Sequence, residues 1–589
     1  MRLILAHYLR TLRERHEFDR LLAELLVSMG YIPLFKPQAG VRQFGVDFAA
    51  VGNSPDDDVR EILLFVIREG DIGRREWSAQ EPADLRPSLN EILDVFLATH
   101  IPPEHAALRK VVVVATTGEF KKDISQSWKG FVDANQDKVS FEVWHGVFVA
   151  SLLERYLLNE NLFADEDRQD LRKALALSCD RDYAFGDFLS LLRRQLGLER
   201  DGSLTASPAN QGLLLKAIQR VILATQVCAH WAQSEGDRRQ ALWVFERALL
   251  WVWHRIQLSE PSDRPALYRP LGDMWAMYQH MSQQYLEAMH QHFLVRDGMS
   301  SYCRESAEYS IVLFEHIGIV ATIGLCQAMA LPTTQEEADL KSANASAIGG
   351  ALWALITNNS ASGSPRLDRH ATEITLALAL LVSTNRHAEA AEWLANLACR
   401  LHFSFLRKSM FPICTDSLDD LVDFEVDGGE DAAGALMNTS WMLPTIAAWC
   451  ALQGLDDFYA LLAKGSAEDY ANVCGQLWHP TPEWPQRWYF RPVQWDLGDT
   501  EAPYALPTDS AELLARIDDF KKIKHYDWMA DSPALSAGLW ALDVIACRHF
   551  RVPVPASFWY RLARKGSDAG GMGAGAEAVL PDGAMSSTY

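Results

Sequence analysis

The apolar positions of residues 1–165 follow two periods, one typical of helices and one typical of strands. Residues 7–30 carry leucines at helical spacing, and Gly30 stands where that helix is expected to end. Shorter runs rich in valine, isoleucine and phenylalanine are typical of strands. The predicted order is helix, strand, strand, helix, strand, helix, strand, helix, over residues 7–30, 44–51, 61–67, 89–97, 110–118, 125–134, 139–144 and 148–158. This alternation predicts an α/β domain that ends near residue 165.

The two strands predicted at residues 44–51 and 61–67 are expected to form a hairpin. The first strand carries a single acid, Asp47, and residues 53–58 between the strands are turn-forming Asn, Ser, Pro and Asp. The second strand is apolar after its first residue, as expected of a strand buried on both faces. It ends in the charged segment 68–71. The hairpin therefore places charged side chains where its strands end, and it is the part of the chain that suggests a chemistry.

From about residue 180 the pattern changes to long stretches with apolar residues at helical spacing. Helices are predicted over residues 184–197, 210–234, 237–257, 267–294, 302–330, 344–357, 370–384, 387–403, 434–452, 455–463, 510–522 and 534–549. Strand-like alternation is nearly absent from this part of the chain. The pattern favours a solenoid or another packed array of helices.

Three later segments break the helical pattern. Residues 416–431 are strongly acidic and are interpreted as a solvated loop. Residues 479–507 are rich in proline and tryptophan and are interpreted as an ordered loop. Residues 566–589 are rich in glycine and alanine and are expected to be disordered. The predicted fold class is α+β overall, with an α/β domain at 1–165, a large all-α helical array at 180–565 and a disordered tail.

Composition narrows the classes of function. The net charge of −22 argues against a chain with a broad basic surface for nucleic-acid binding. The nine cysteines form no CxxC pair, which argues against structural zinc and favours reduced thiols. The first 18 residues lack the apolar core and cleavage site of a signal peptide, and the apolar stretch near 317–331 is too short and too polar to span a bilayer. We therefore expect a cytoplasmic protein without a membrane contact.

Residues 1–165 resemble the restriction-endonuclease-like fold, the PD-(D/E)xK group, and are most like its Mrr-type branch. The resemblance rests on a leading helix with a glutamate, FDRLLAELLVSMGY, and on the strand that contains Gly45-Val46-Asp47. The later strand VVVVATTG and the closing segment FEVWHGVFVASLLERYLL also fit. In that family, acidic side chains hold Mg²⁺, and a lysine orients or activates the attacking water. The resemblance covers about a quarter of the chain, and no family is placed on residues 180–589.

The resemblance assigns roles to individual residues. Asp47 corresponds to the motif aspartate, and Glu24 corresponds to the helix glutamate. Val66 stands where the family has Gln or Glu, and Arg68 stands where it has Lys. Valine cannot bind a metal, and arginine stays protonated and holds a different geometry from lysine. The second motif is therefore degenerate.

Two nearby acids, Glu69 and Asp71, are candidates for a migrated metal ligand. Because neighbouring strand residues face opposite sides, Glu69 has to lie beyond the regular end of the strand to take this role. The candidate catalytic residues are accordingly Asp47, Arg68, Glu69 and Glu24. If the site is active, Mg²⁺ is expected on Asp47 and Glu69.

Three functions remain open. The first is a DNA-interacting protein of a bacterial restriction or anti-phage defence system, with a degenerate nuclease-fold domain and a helical region for assembly or sensing. The second is an active Mg²⁺-dependent DNA endonuclease with a rearranged motif, and the third is a helical scaffold that contacts only protein. Residues 1–165 carry 19 Lys and Arg against 25 Asp and Glu. This excess of acids favours a multi-subunit complex in which a partner, such as an ATPase or helicase, supplies contacts to duplex DNA.

Overall fold

The chain forms two compact units in the computed structural model. The first unit comprises residues 1–195 and 212–237, and the second comprises residues 196–211 and 238–589. The structure describes residues 9, 10, 12, 18–35, 44–55, 57–78, 84–157, 165–177, 183–205, 211–234, 238–303, 306, 308–329, 334–407, 412–415, 418–427, 436–480, 488–490, 498–524 and 532–565. The tail at 566–589, for which the sequence predicts disorder, lies outside the described residues.

Within the described residues, the first unit contains one mixed five-stranded sheet. Its strands are β1 (Ile32–Phe35), β2 (Phe48–Asn53), β3 (Arg60–Arg68), β4 (Arg109–Thr116) and β5 (Ser140–Trp144). They lie in the order β1-β2-β3-β4-β5. The first two pairings are antiparallel, and the pairings of β3 with β4 and of β4 with β5 are parallel. The expected α+β class is confirmed, with the sheet near the N-terminus and a long helical region after it.

The predicted hairpin is present as β2 and β3, whose register runs from Phe48 opposite Phe65 to Asn53 opposite Arg60. Its first strand begins at Phe48 and not at residue 44, because Phe44 and Gly45 have φ angles of 49° and 83° and form a left-handed turn. Strand β1 has no counterpart among the predicted elements. It contains a proline, which a strand tolerates at the edge of a sheet, and β1 is an edge strand here.

The helices of the first unit lie before, between and after the strands of the sheet. They are α1 (Asp19–Ser28), α2 (Arg74–Ser78), α3 (Leu85–Glu91), α4 (Ser125–Asn135), α5 (Gly146–Leu152), α6 (Asp165–Leu177), α7 (Gly186–Leu196) and α8 (Gln211–Ser234). A π-helical turn, Ile92–Phe96, continues α3, and another, Leu153–Leu157, continues α5. Helices α6 to α8 thus follow the predicted boundary near residue 165 and lie, apart from terminal residues, within the first unit.

One face of the sheet is covered by α3 and α4. The core on this side contains alternate residues of β2 and β3 together with apolar residues of the two helices and the turn after α3, namely Ala49, Val51, Ile62, Leu64, Val66, Leu85, Leu89, Ile92 and Phe131. Alternation in a strand places every second side chain on the same face. Because Val66 belongs to this core, Arg68 at the end of β3 points to the same face.

The second unit is predominantly helical. Its helices are α9 (Arg238–Gln257), α10 (Arg264–Phe293), α11 (Glu308–Ala328), α12 (Gln335–Asn358), α13 (Ala371–Ser383), α14 (His387–Arg407), α15 (Leu418–Asp427), α16 (Met442–Leu452), α17 (Asp456–Ala467), α18 (Ser510–Lys524), α19 (Pro533–Ser536), α20 (Ala541–Phe550) and α21 (Ala556–Lys565). In the described parts, two small sheets join β6 (Thr439–Ser440) to β7 (Cys474–Gly475) and β8 (Leu477–Pro480) to β9 (Gly498–Glu501).

Two loops predicted in this region contain regular structure. The sequence predicts a loop at the acidic segment 416–431, but α15 occupies Leu418–Asp427. Its Leu421 and Phe424 are buried, and their spacing of three residues is a helical signal that the surrounding acids obscure. The proline-rich segment 479–507 contributes to the small sheet of β8 and β9.

Two helices are long and apolar enough to cross a bilayer by length and composition alone. They are Gly212–Gln233, within α8, and Glu308–Ala328, which is α11. The protein buries 56% of the apolar window in the first helix and 78% in the second. Core helices of globular proteins show the same combination of apolar sequence and burial.

Candidate functional site

The turn formed by Phe44 and Gly45, before β2, lies in close contact with helix α3. Gly45 has a φ of +83°, and a Cβ atom built on it would stand 2.1 Å from the backbone oxygen of Ser88. A residue with a side chain would therefore meet both backbone strain and a steric clash. This close approach brings the start of β2 beside Ser88 and positions Asp47 at the end of β3.

Asp47 is bound to the last residues of β3. Its backbone N–H donates to the Phe65 carbonyl oxygen at 2.9 Å, and its Oδ2 accepts the Ile67 backbone N–H at 2.8 Å. The same Oδ2 lies 3.5 Å from Nη1 of Arg68. The side chains are 32% exposed for Asp47 and 18% exposed for Arg68. The predicted site residues Asp47 and Arg68 are therefore brought together as an ion pair.

Arg68 is fixed by further hydrogen bonds. Its Nη1 donates to the Ile67 carbonyl oxygen at 2.6 Å, and its Nη2 donates to Ser88 Oγ at 2.9 Å. The Ser88 hydroxyl in turn donates to the Asp84 carbonyl oxygen at 2.9 Å. Sequence reasoning misses Ser88, since a serine in a helix gives no signal of its own. A glycine such as Gly45 can indicate that another part of the backbone comes close, because it has no side chain to prevent the approach. Here that neighbour is the backbone of Ser88.

Val66 is the residue that the sequence alignment predicts to stand in place of a second acid of the PD-(D/E)xK pattern. The β2–β3 register ends at Phe48 opposite Phe65, and Asp47 stands just before it with its backbone N–H bound to the Phe65 carbonyl oxygen. Val66 and Arg68 share a face of β3, because alternate residues of a strand point the same way, and the Asp47 carboxylate contacts Arg68 where this strand ends. Val66 is fully buried in the core below α3. An apolar side chain therefore stands two residues before Arg68, and the alignment of these residues with the family motif stays a prediction.

The donors around Asp47 do not fit Mg²⁺. This ion requires oxygen ligands in near-octahedral geometry, and here one carboxylate oxygen already accepts a backbone N–H beside a guanidinium group. Val66 offers no donor atom. Among the described residues, no group of three or more His, Cys, Asp or Glu side chains is placed to hold a metal ion. No chemical step through a metal follows from this arrangement.

Glu69 and Glu24 complete the set of predicted site residues. Glu69 directly follows the last residue of β3 and is exposed. Its convergence with Asp47 on a metal stays a prediction. Glu24 lies on α1, and its Oε2 accepts a hydrogen bond from the Gln219 side chain of α8. This contact gives Glu24 a role in joining two helices of the first unit.

Exposed basic residues follow the strands at the Arg68 end of the sheet. Arg74 and Arg75 come shortly after β3, and Lys121 and Lys122 come shortly after β4. Because β3 and β4 are parallel, their carboxyl ends meet at one edge of the sheet. The segments after them are joined there, since the backbone N–H of Lys121 donates to the Ile72 carbonyl oxygen at 2.9 Å. Acids are interspersed, and Lys121 Nζ lies 3.5 Å from Asp71 Oδ2. The backbone N–H of Glu119 holds the pKa of Asp71 below its usual value, together with Lys121.

A small cavity lies in the second unit beside α13. It has a volume of about 20 Å³ and is lined by Thr372, Thr375, Trp441, Gln476, Trp478 and Trp559, among others. A volume of this size holds a water molecule or a group of similar size. The indole nitrogens of Trp441 and Trp559 donate to the backbone oxygens of Asp368 and Val554. The cavity is therefore a packing feature between helices.

Comparisons with protein-family models, with curated proteins and with solved structures found no match to this chain.

Proposed function

We propose that the protein is a DNA-binding component of a bacterial restriction or anti-phage defence assembly, in which the nuclease-like first unit does not cleave. One observation carries the loss of cleavage: the carboxylate of Asp47 is engaged by the Ile67 N–H and Arg68, and buried Val66 replaces the second acid. The DNA-binding and defence parts of the proposal are supported by the resemblance of residues 1–165 to the PD-(D/E)xK group.

The loss of cleavage follows from what phosphodiester hydrolysis requires. A metal-dependent nuclease needs charge stabilisation on the phosphate and a deprotonated water as nucleophile. A single carboxylate paired with a guanidinium provides neither a complete ligand set for the metal nor a base for the water. Arginine side chains do not exchange protons in proteins, so Arg68 cannot replace a lysine that does.

The first test is cleavage of supercoiled plasmid DNA by the purified full-length chain, in Mg²⁺ and in Mn²⁺. We expect no cleavage above background by wild type, and the same result for Asp47→Ala. A double variant, Val66→Glu with Arg68→Lys, restores both motif residues and tests whether the surrounding pocket still supports turnover. Robust wild-type cleavage that Asp47→Ala abolishes would overturn the proposal and would point to Glu69 as a migrated ligand.

The second test concerns DNA contact at the Arg68 end of the sheet. Arg75→Glu combined with Lys122→Glu reverses two exposed charges at this edge, and we expect it to weaken binding of a duplex at least several-fold and to reduce the salt dependence. Arg60→Glu combined with Lys138→Glu is the matched control, because it reverses two exposed charges at the opposite edge of the sheet, where β3 and β5 begin. Arg60 lies about 26 Å from Arg68 along β3 at 3.3 Å per residue.

The outcome of the binding test separates the remaining functions. If the control variant weakens duplex binding equally, net charge alone determines the affinity, and the Arg68 end of the sheet is not the DNA contact. If the wild-type chain binds no duplex at low salt, the helical scaffold without DNA contact becomes the better description.

A further inference from the structure

Helix α5 begins with two exposed apolar side chains. Val147 is 45% exposed, and Phe148 is 39% exposed. Single exposed apolar residues are common on protein surfaces, but a phenyl ring held on a regular element offers a flat contact area to a partner. The way in which Phe148 is held, and the residues around it, decide which partner fits.

The backbone that carries Phe148 is fixed to the end of β4. The Gly146 N–H donates to the Gly118 carbonyl oxygen at 2.8 Å, and a Cβ atom built on Gly146 would stand 2.4 Å from the Thr117 oxygen. Only a residue without a side chain allows this approach. His145 caps the helix, because its Nδ1 accepts the Phe148 N–H at 3.3 Å. Phe148 is therefore carried on a fixed turn.

The Phe148 ring contacts aromatic residues of the core. Its centroid lies 5.8 Å from that of Trp144, which is 4% exposed, and Trp144 meets the Phe65 ring edge-on at 5.2 Å. The Trp144 Nε1 donates to Glu142 Oε2 at 2.8 Å, which fixes the indole. Little conformational entropy is therefore lost when a partner contacts Phe148, since its ring is already positioned.

Phe148 stands at a corner of the five-stranded sheet. Strand β5 is an edge strand and runs parallel to β4, as β4 does to β3. The last residue of β5, Trp144, therefore lies at the same edge of the sheet as Arg68 of β3. This is the edge at which we propose the DNA contact, and Phe148 follows the end of β5 by four residues.

Exposed cations lie within reach of this corner. The hydrogen bond between Gly118 and Gly146 limits the distance. Lys121 lies three residues beyond the first glycine and Phe148 two residues beyond the second, so their Cα atoms are at most about 25 Å apart. Acids are interspersed, and Lys121 Nζ lies 3.5 Å from Asp71 Oδ2. Phosphate contacts alone therefore provide limited attraction, and a contact to a base would add to the affinity.

A phenyl ring reaches the face of a nucleobase only where the stack of bases is open. In an uninterrupted duplex each base is covered on both faces by its neighbours. At a DNA end, or in a single-stranded overhang, one face is accessible, and an aromatic side chain can stack on it whatever the base is. The fixed position of Phe148 at a corner of the sheet suits such a contact.

We propose that Phe148 stacks on an accessible base at a DNA end, so that the ligand class of the first unit is DNA with a terminal or unpaired base. This inference rests on the proposed function, since it requires DNA at the Arg68 end of the sheet. Val147 covers the edge of the stacked base, and Lys121 contacts the phosphates of the adjoining duplex. A distance of about 25 Å corresponds to about seven base pairs at 3.4 Å each, so one DNA end spans both contacts.

The test is a competition experiment with the purified full-length chain bound to a fluorescent reference duplex. Two unlabelled duplexes of the same sequence and of about 30 base pairs compete with it. One carries a short single-stranded overhang at each end, and in the other both ends are blocked by streptavidin bound to terminal biotin groups. At low salt we expect the open duplex to bind about tenfold more tightly, the effect of one base stacked on an aromatic ring.

Variants of Phe148 test the role of the ring. Phe148→Ala should lose the preference for the open duplex and keep the affinity for the blocked one. Phe148→Trp keeps an aromatic ring and should keep the preference, whereas Phe148→Leu keeps an apolar side chain without a ring and should lose it. If Phe148→Ala does not fold, the comparison between the Leu and Trp variants decides the same question.

Phe403→Ala is the matched control. Phe403 is 46% exposed and lies on α14 of the second unit, so its removal deletes an equally exposed ring elsewhere in the chain. We expect this variant to bind both duplexes as wild type does. An equal loss of the preference in Phe403→Ala and Phe148→Ala would overturn the assignment of the stacking contact to Phe148.

The outcomes separate this inference from the proposed function. If wild type and Phe148→Ala bind the open and the blocked duplex equally well, end recognition is overturned and the DNA contact of the first unit stands. If wild type binds neither duplex, the proposed function itself is overturned. If Phe148→Ala changes the mass of the protein in solution and leaves both DNA affinities unchanged, the exposed pair is a protein contact and end recognition is again overturned.

Discussion

Arg109 and Glu61 form an ion pair at the end of the sheet opposite Asp47. Nε of Arg109 donates to Oε2 of Glu61 at 2.8 Å, and Glu61 is only 4% exposed. The hydroxyl of Tyr31 donates to Oε1 of the same carboxylate at 2.7 Å. This buried contact joins the start of β3 to the start of β4 and to the residue before β1, so it fixes the register of the sheet far from the candidate site.

Removing Glu61 should destabilise the first unit strongly. Glu61→Ala leaves the Tyr31 hydroxyl and part of the Arg109 guanidinium without an acceptor, and losing these hydrogen bonds costs about 1–3 kcal/mol, since Arg109 is partly exposed and keeps Asp57. Asp57→Ala removes the other partner of Arg109, but Asp57 is exposed, so we expect a clearly smaller loss. The urea midpoints of the two variants provide the measurement. Equal losses of stability would show that the burial of Glu61 does not determine what its removal costs.

The contact between Gly45 and Ser88 predicts a second large effect. Gly45→Ala forces a side chain into a left-handed backbone and within 2.1 Å of the Ser88 oxygen, so we expect a loss of about 2–4 kcal/mol. Gly30→Ala is the control for the backbone effect alone, because Gly30 has a φ of +92° and no atom lies within 4 Å of a Cβ atom built on it. That variant should lose only about 1 kcal/mol. A smaller loss in Gly45→Ala than in Gly30→Ala would show that the turn and α3 can separate freely.

Replacing Asp47 distinguishes a structural ion pair from a strained catalytic group. Asp47→Ala removes the acceptor of the Ile67 N–H and the carboxylate beside Arg68, so it should lower the free energy of unfolding by about 1–2 kcal/mol. Asp47→Asn keeps an oxygen acceptor and should lose less. Catalytic residues often destabilise the fold, and their removal then raises stability. A higher melting temperature for Asp47→Ala would therefore favour the catalytic interpretation.

The elements with a regular hydrophobic period are predictable from the sequence. The hairpin of β2 and β3 and most helices of the second unit lie close to their predicted bounds, because continuous apolar runs and helical spacing are local signals. Strand β1 and helix α15 escape prediction, since Pro33 argues against a strand and the acids around Leu421 and Phe424 conceal the apolar positions. Strand β1 forms through its pairing with β2, which no local pattern records, whereas the signal for α15 is local but weak.

The sequence suggests that Asp47 and Arg68 lie close together, and it does not indicate their other partners. The structure pairs the two residues, and Val66 and Arg68 share a face of β3 because alternate strand residues point the same way. The hydrogen bond that Arg68 donates to Ser88 and the one that the Ile67 N–H donates to Asp47 depend on how the turn before β2 and α3 pack on the sheet. The buried acids of the second unit give no signal in the sequence, because a single Glu or Asp in a helix is usually exposed.

These buried acids predict how stability depends on pH. Burial raises the pKa of Asp368 to about 6 and that of Asp543 to about 7, the latter although Ser532 and Tyr489 donate hydrogen bonds to its carboxylate. Burial also raises the pKa of Glu373 on α13 to about 7. All three groups have a higher pKa folded than unfolded, so their contribution is complete below about pH 4 and is lost as the pH rises towards 7. Buried His370 and His549 have lowered pKa values, so their contribution is present above about pH 6.5 and is lost as the pH falls.

The two effects oppose each other, but three carboxyls outweigh two histidines, so these five groups make the stability of the second unit fall with rising pH from about pH 4.5 to about pH 7. We expect the urea midpoint of the full chain to fall from about pH 6 to pH 8, since three carboxyls must ionise inside the core. In Asp543→Asn the decrease should be smaller, because one of these groups no longer titrates, whatever the absolute stability of the variant. The pKa of Asp543 is then the quantity tested: an unchanged slope would mean that its carboxyl is already ionised at pH 6, held so by the hydroxyl groups of Ser532 and Tyr489.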